Sequence, residues 1–238
     1  MSSAKILEQP LDARCDRMIY GGSFDPPHRG HLTIIHYVLA QRLTPVIDLI
    51  PAAVSPFKTD APPTAGAARR QLLEAAISDL LAGAGEFTDP NTAIQPEQIQ
   101  LRTLELDRPP PSFTVDTCAA LREIYPGQTL GLLIGSDSLR DFQRWTRVEG
   151  ILAHHPVFVF RRAQESVADV RRLIDGLCAQ FPPARFYPLT NPLVPCASSD
   201  IRAQIAAGQP EERARAESIS RCLTPRVRGV IDELRLYR

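Results

Sequence analysis

The residues best equipped for chemistry in this chain stand close together: His28 and His31, three apart in GGSFDPPHRGH at residues 21–31. Side chains three apart on a helix share a face, so a helix opening near His28 presents both imidazoles to one point. Gly30 between them keeps that surface low. Upstream, Asp25-Pro26-Pro27 makes a rigid turn, and Gly21 and Gly22 let the backbone approach a bulky anion. The first amides and the positive dipole end of such a helix attract negative charge. Two imidazoles beside it can donate to phosphate oxygens, and either can carry a charge near neutral pH. The His-x-x-His spacing is one residue short of the zinc-helix motif, so no metal site is expected. His36, further along, lacks these surroundings.

Elements of regular structure must bring such groups to one place. Short apolar runs bounded by turn residues predict strands at 18–20 (MIY), 46–50 (VIDLI), 130–135 (LGLLIG), 157–160 (VFVF) and 185–189 (RFYPL). Helical spacing predicts helices over 30–43 and 67–82, with further ones over 115–125, 167–180, 199–207 and 224–236. This alternation predicts an α/β fold: a Rossmann-like, doubly wound parallel sheet with helices on both faces and a C-terminal helical segment. Ligands of such sheets bind beyond the carboxyl ends of the strands. There this sequence places the histidine stretch, Lys58 in PAAVSPFK, Gly135-Ser136-Asp137, Arg161 and Arg162, and Ser198, Ser199 and Arg202 in PCASSDIR. Glycines, hydroxyls and cations on one rim suit a phosphate-rich ligand. Ser198 or Ser199 is expected to cap its helix while Arg202 grips phosphate, and Asp137 or Ser136 to cap another.

Composition narrows the class. The 27 basic residues balance the 27 acidic ones, which leaves no field to draw in nucleic acid. No apolar run reaches the ~18 residues a membrane helix needs, and residues 1–17 contain no signal-peptide core. A cytoplasmic protein without a membrane partner is expected, and homo-oligomerisation stays open. The five cysteines are scattered without a zinc-binding pair and read as reduced, mostly buried thiols. The 22 prolines cluster at 51–63, 90–96, 107–111 and 182–195, marking loops. No linker or repeat interrupts the 238 residues, so one domain is expected, with residues 1–16 as a flexible tail and 83–97 as an inserted surface loop.

GGSFDPPHRGHL resembles the signature of the nucleotidyltransferase superfamily, a His-x-Gly-His at a helix start. More narrowly, the chain resembles bacterial nicotinate-nucleotide adenylyltransferases through RPPPSFTVDTC (108–118), LLIGSDSLRDFQRW (132–145), VFVFRR (157–162), ASSDIR (197–202) and the closing LTPRVRGVIDELRLYR. The resemblance implies transfer of the adenylyl group of ATP to nicotinate mononucleotide, with Mg²⁺ accompanying ATP, giving deamido-NAD and pyrophosphate without a covalent intermediate. It implies that His28, His31 and Arg202 are catalytic. Gly21, Gly22, Ser23, Phe24, Gly135, Asp137, Ser198 and Ser199 would join them around ATP, with Asp137 at the ribose. Lys58, Ser112, Thr114, Trp145 and Arg162 would receive the acceptor, the indole stacking on the pyridine. The sequence departs from the family at Phe57, Thr146, Ala163-Gln164, Ala197 and Ser199. Other acceptors would be nicotinamide mononucleotide, phosphopantetheine or a flavin. A tRNA synthetase is disfavoured by chain length, by the missing Lys-Met-Ser-Lys-Ser loop and by charge. A non-catalytic nucleotide-binding regulator is disfavoured because His28, His31 and Arg202 are all present.

Overall fold

The structure, a computed structural model, describes residues 13–54, 63–83, 92–162, 165–182, 184–207 and 219–238. Six strands form one sheet: β1 (Arg17–Gly22), β2 (Ile47–Pro51), β3 (Ile99–Leu101), β4 (Leu130–Gly135), β5 (Val157–Phe160) and β6 (Phe186–Pro188). Their order is β3-β2-β1-β4-β5-β6, and every pairing is parallel. The strand order reverses between β1 and β4, which opens the crevice used by doubly wound folds. The predicted α/β class holds.

The strands are buried on both sides because their side chains alternate between two cores. Met18 and Tyr20 of β1, with Leu133 of β4 and Phe158 and Phe160 of β5, pack in one cluster. That cluster takes in α1 (Arg29–Ala40), α2 (Gly66–Leu81), and the later α7 (Ser198–Ala206) and α8 (Pro225–Glu233). Ile19, Leu132, Ile134, Val157 and Val159 point the other way. They meet α3 (Thr114–Ile124), the short α4 (Ser136–Arg140) and α5 (Val148–Leu152), and α6 (Val167–Gln180). The α6 prediction matches to the residue; the other predicted helices begin or end one to three residues away, and the short α4 and α5 add to them.

Four expectations need correction. β3 was not expected, because three residues carry too little periodicity to read. Cross-strand partners hold it: Asp48 of β2, fully buried, accepts from Arg17 Nη1 of β1 and from Arg102 Nε just after β3, both at 3.1 Å. Within the expected tail, Ala13 and Cys15 are buried and Asp16 accepts the Thr129 N–H at 2.7 Å, so residues 13–16 belong to the packed fold. Residues 1–12 lie outside the described residues, as does 84–91 of the expected inserted loop. Not all thiols are reduced: Cys196 and Cys222 form a disulfide, with Cα atoms 5.6 Å apart, while Cys15, Cys118 and Cys178 are free. Sequence spacing could not show this pair, which joins the segments leading into α7 and α8. α8 itself packs on α2. In that packing the buried Asp79 of α2 accepts the Arg226 N–H at 2.8 Å and pairs with its guanidinium at 3.2 Å. Finally, neither α4 nor α7 has a side-chain cap. Their N-cap residues are Gly135 and Ala197, and the expected capping hydroxyls bind loops instead, as described below.

Candidate active site

A cavity of about 820 Å³ opens at the carboxyl ends of the strands, on the β1/β4 crevice. Gly21 and Gly22 end β1 on its floor, followed by Ser23 and Phe24. Phe24 has a left-handed φ of 48°, rare for a residue with a side chain, and its ring is buried edge-on against Tyr20 and His31. A Cβ on Gly22 would stand 3.2 Å from the Phe24 ring, so a side chain there would press on Phe24.

His28 is the N-cap residue of α1 and His31 lies one turn in. Their rings are 3.8 Å apart between centroids and both line the cavity. His31 Nδ1 accepts the backbone N–H of His28 at 3.2 Å. An accepting Nδ1 places the ring proton of neutral His31 on Nε2, a donor directed away from its own backbone contact. The buried Nδ1 of His28 has no hydrogen-bond partner among the described residues. Gly30 lets the His28 ring lie close, since a Cβ there would stand 3.0 Å from it and the ring would have to yield.

In the free protein burial works against charge on these imidazoles. Burial pushes His28 down to about 3, with the Arg162 cation adding to the effect. Burial also takes His31 well below its ordinary value, reinforced by His28 and Arg162. Both are neutral donors until an anion arrives.

Around them stand the other sequence-derived candidates. Gly135 closes β4 and Asp137 stands second in α4, where its carboxylate lies 3.5 Å from Arg162 Nε. A Cβ on Gly135 would fall 2.2 Å from Asp137 Oδ1, so glycine is needed for this approach. Ser136, rather than capping, accepts the Arg162 N–H at 3.0 Å, and Asn191 accepts that of Arg161 at 2.8 Å, which fixes the chain leaving β5. On α7, Ser198 Oγ donates to the Pro26 carbonyl at 2.9 Å and Arg202 Nη1 to the Asp25 carbonyl at 2.6 Å. These two bonds join α7 to the loop before α1 and keep Ser199 and Arg202 on the cavity wall. Ser112, Thr114 and Trp145 line the far side, the indole packed on Phe142 with centroids 4.8 Å apart. Lys58, with Phe57, and the Ala163-Gln164 pair lie outside the described residues. The other residues the resemblance assigns to the site border this cavity, whereas Ser136 and Arg161, expected on the same rim, do not line it.

Three contributors escaped sequence reasoning. Arg69 is 1% exposed and donates to four carbonyls, those of Ser23, Ala52, Ala53 and Thr64, tying the β1 and β2 loops together. Its signal was available: it falls on the buried stripe of α2 with Leu72, Leu73 and Ala76. Glu105 lines the cavity, where burial pushes its carboxyl up and Thr117 donates to it at 2.7 Å. Tyr237 donates to Asp25 Oδ1 at 2.6 Å across 212 residues, which no local pattern shows.

Fold and cavity together define a nucleotide-binding α/β protein of the nucleotidyltransferase kind. The chain belongs to the cytidylyltransferase-like family, whose model matches residues 19–204. It is 34% identical over 188 residues to a probable nicotinate-nucleotide adenylyltransferase of Leptospira borgpetersenii serovar Hardjo-bovis (strain JB197), covering 77% of this chain and 82% of that protein. It is 32% identical over 222 residues to the Rhodopirellula baltica protein of the same designation, covering 92% of each. Among solved structures, Plasmodium falciparum nicotinic acid mononucleotide adenylyltransferase complexed with NaAD has the same fold. Its TM-score is 0.70 at 19% identity, over 93% of this chain and 96% of that one. No described helix is long and apolar enough to cross a membrane.

Proposed function

We propose that this protein transfers the adenylyl group of ATP to nicotinate mononucleotide, forming deamido-NAD and releasing pyrophosphate. The observation that carries the reading is the pair of adjacent, buried, neutral imidazoles at the start of α1, facing one cavity with Arg202 and Arg162. The designation of the relatives supports the choice of acceptor.

The acceptor's phosphate monoester has its second pKa near ~6 and is already a nucleophile at neutral pH. No general base is needed. One of its oxygens bonds to the α-phosphorus as the bond to the pyrophosphate oxygen breaks, and pyrophosphate leaves with that electron pair. Catalysis then consists of alignment and of neutralising charge on the transferring and leaving groups. His28 and His31 donate to the phosphate chain, and the incoming anion favours their protonation against the cost of burial. The first amides of α7, with Ser198, Ser199 and Arg202, hold the β- and γ-phosphates. Gly21, Gly22, Ser23 and Phe24 let the triphosphate lie against the end of β1, while Gly135 and Asp137 receive the ribose. Ser112, Thr114, Trp145, Arg162 and Lys58 receive the acceptor.

Among the described residues there is no group of three or more His, Cys, Asp or Glu side chains arranged to hold a metal ion. We therefore assign Mg²⁺ to the ATP, entering as the Mg·ATP substrate and screening its phosphates. The cytoplasm, where ATP is made available, is the compartment this reading fits. Incubating the protein with Mg·[α-³²P]ATP and nicotinate mononucleotide tests it. Label should appear in a dinucleotide in step with pyrophosphate. Label in free AMP alone, or no turnover, contradicts the reading.

A further inference from the structure

We infer that Tyr237 is a positioning residue for the ATP phosphate site, acting through Asp25; this rests on the ATP reading above. Asp25 is 4% exposed, three residues ahead of the His28 N-cap, and lines the cavity. One carboxylate oxygen accepts from the Tyr237 hydroxyl at 2.6 Å and the other from the Thr64 N–H at 3.0 Å. Its backbone carbonyl, not its carboxylate, takes the Arg202 guanidinium at 2.6 Å.

That division has a chemical consequence. If the Asp25 carboxylate turned to Arg202, the ion pair would cancel the guanidinium charge that a triphosphate needs. With Tyr237 and Thr64 engaging both carboxylate oxygens, Arg202 is left with a neutral carbonyl, and its charge stays available to an anion. The same contacts keep the negative carboxylate turned from the incoming phosphates, where it would repel them. Tyr237 is brought there by a costly route: it and Arg235 both adopt left-handed backbone, with φ of 63° and 50°. Such conformations persist where surrounding contacts hold them, and cluster where function uses them. Here the holding contacts are the Tyr237–Asp25 bond and α8, anchored through Arg226 to Asp79.

Tyr237→Phe keeps the ring and removes the hydroxyl. A hydrogen bond to a charged group is the kind whose loss shifts affinity by about 10-fold or more. In the intact protein, Tyr237→Phe should weaken α,β-methylene-ATP with Mg²⁺ in calorimetry, and raise KM for ATP, by about that factor. KM for nicotinate mononucleotide should stay unchanged. In an Asp25→Asn background, which lacks the competing charge, adding Tyr237→Phe should have little further effect on either ATP readout. An unchanged analogue Kd, an equal rise in both KM values, or the same added loss in both backgrounds would each overturn the inference, whatever happens to Tm. The calorimetry reads analogue binding without turnover. Tight analogue binding by a wild type that makes no dinucleotide would therefore defeat the acceptor assignment and leave this inference standing.

Discussion

His31 accepts the backbone N–H of His28 through Nδ1 at 3.2 Å, while the two rings lie 3.8 Å apart. One imidazole thus helps fix the start of the helix on which both stand, and its remaining nitrogen is free to donate. The pair is a preorganised donor set in a buried wall, where donors act more strongly than in water.

His31→Ala removes both the donor and the acceptor for the His28 amide. Turnover should fall by roughly 10² or more with the far-UV circular dichroism unchanged. Steady-state pyrophosphate release checks it, and a near-wild-type rate would remove His31 from the mechanism.

Gly30→Ala tests the geometry without touching a donor. The new methyl would lie 3.0 Å from the His28 ring and must push it aside. A displacement of that kind should cost on the order of 10- to 100-fold in kcat/KM. The thermal midpoint should stay close to wild type, since alanine loses less backbone freedom on folding than glycine.

Because both imidazoles are held neutral in the fold, acid should destabilise the free protein. The unfolded chain takes up protons below the ordinary value of 6.5, whereas native His28 resists them down to about 3. More protons are then bound in the unfolded state, so unfolding free energy falls as pH drops through that window. The slope is up to about 1.4 kcal/mol per pH unit for each such group. Urea titrations at successive pH values should show a shallower decline in His28→Gln than in wild type. Parallel profiles would contradict the burial argument.

The Cys196–Cys222 bridge closes a separation of 26 residues, next to the start of α7 at one end and of α8 at the other. Chain-entropy reasoning gives such a loop about 3.5 kcal/mol of stabilisation. Cys222→Ser, or treatment of wild type with a dithiol, should lower unfolding free energy by about that amount. Cys222→Ser should also become insensitive to the dithiol. Denaturant melts with and without reductant check this, and a wild type indifferent to reductant would contradict it.

What the sequence made legible follows from how locally each feature is encoded. β4, β5 and α6 are marked by continuous apolar runs or a full amphipathic period, and the structure places them as expected. His28 and His31 could be paired on paper because a helix fixes neighbours three apart. The capping roles of Ser198 and Ser136 could not be settled that way. A hydroxyl near a helix start can bind its own amides or another loop, and here the Pro26 carbonyl and the Arg162 amide took precedence. Tyr237 and the disulfide were invisible for the same reason: each depends on chain crossings far apart in sequence. The short β3 is held by Asp48 and its arginines rather than by periodicity.

The central claim is the choice of acceptor. Its most direct test is the rate of pyrophosphate release from Mg·ATP with nicotinate mononucleotide against that with nicotinamide mononucleotide, under identical conditions. The account predicts strong preference for the acid. Equal use of both, or release with the amide alone, would contradict it.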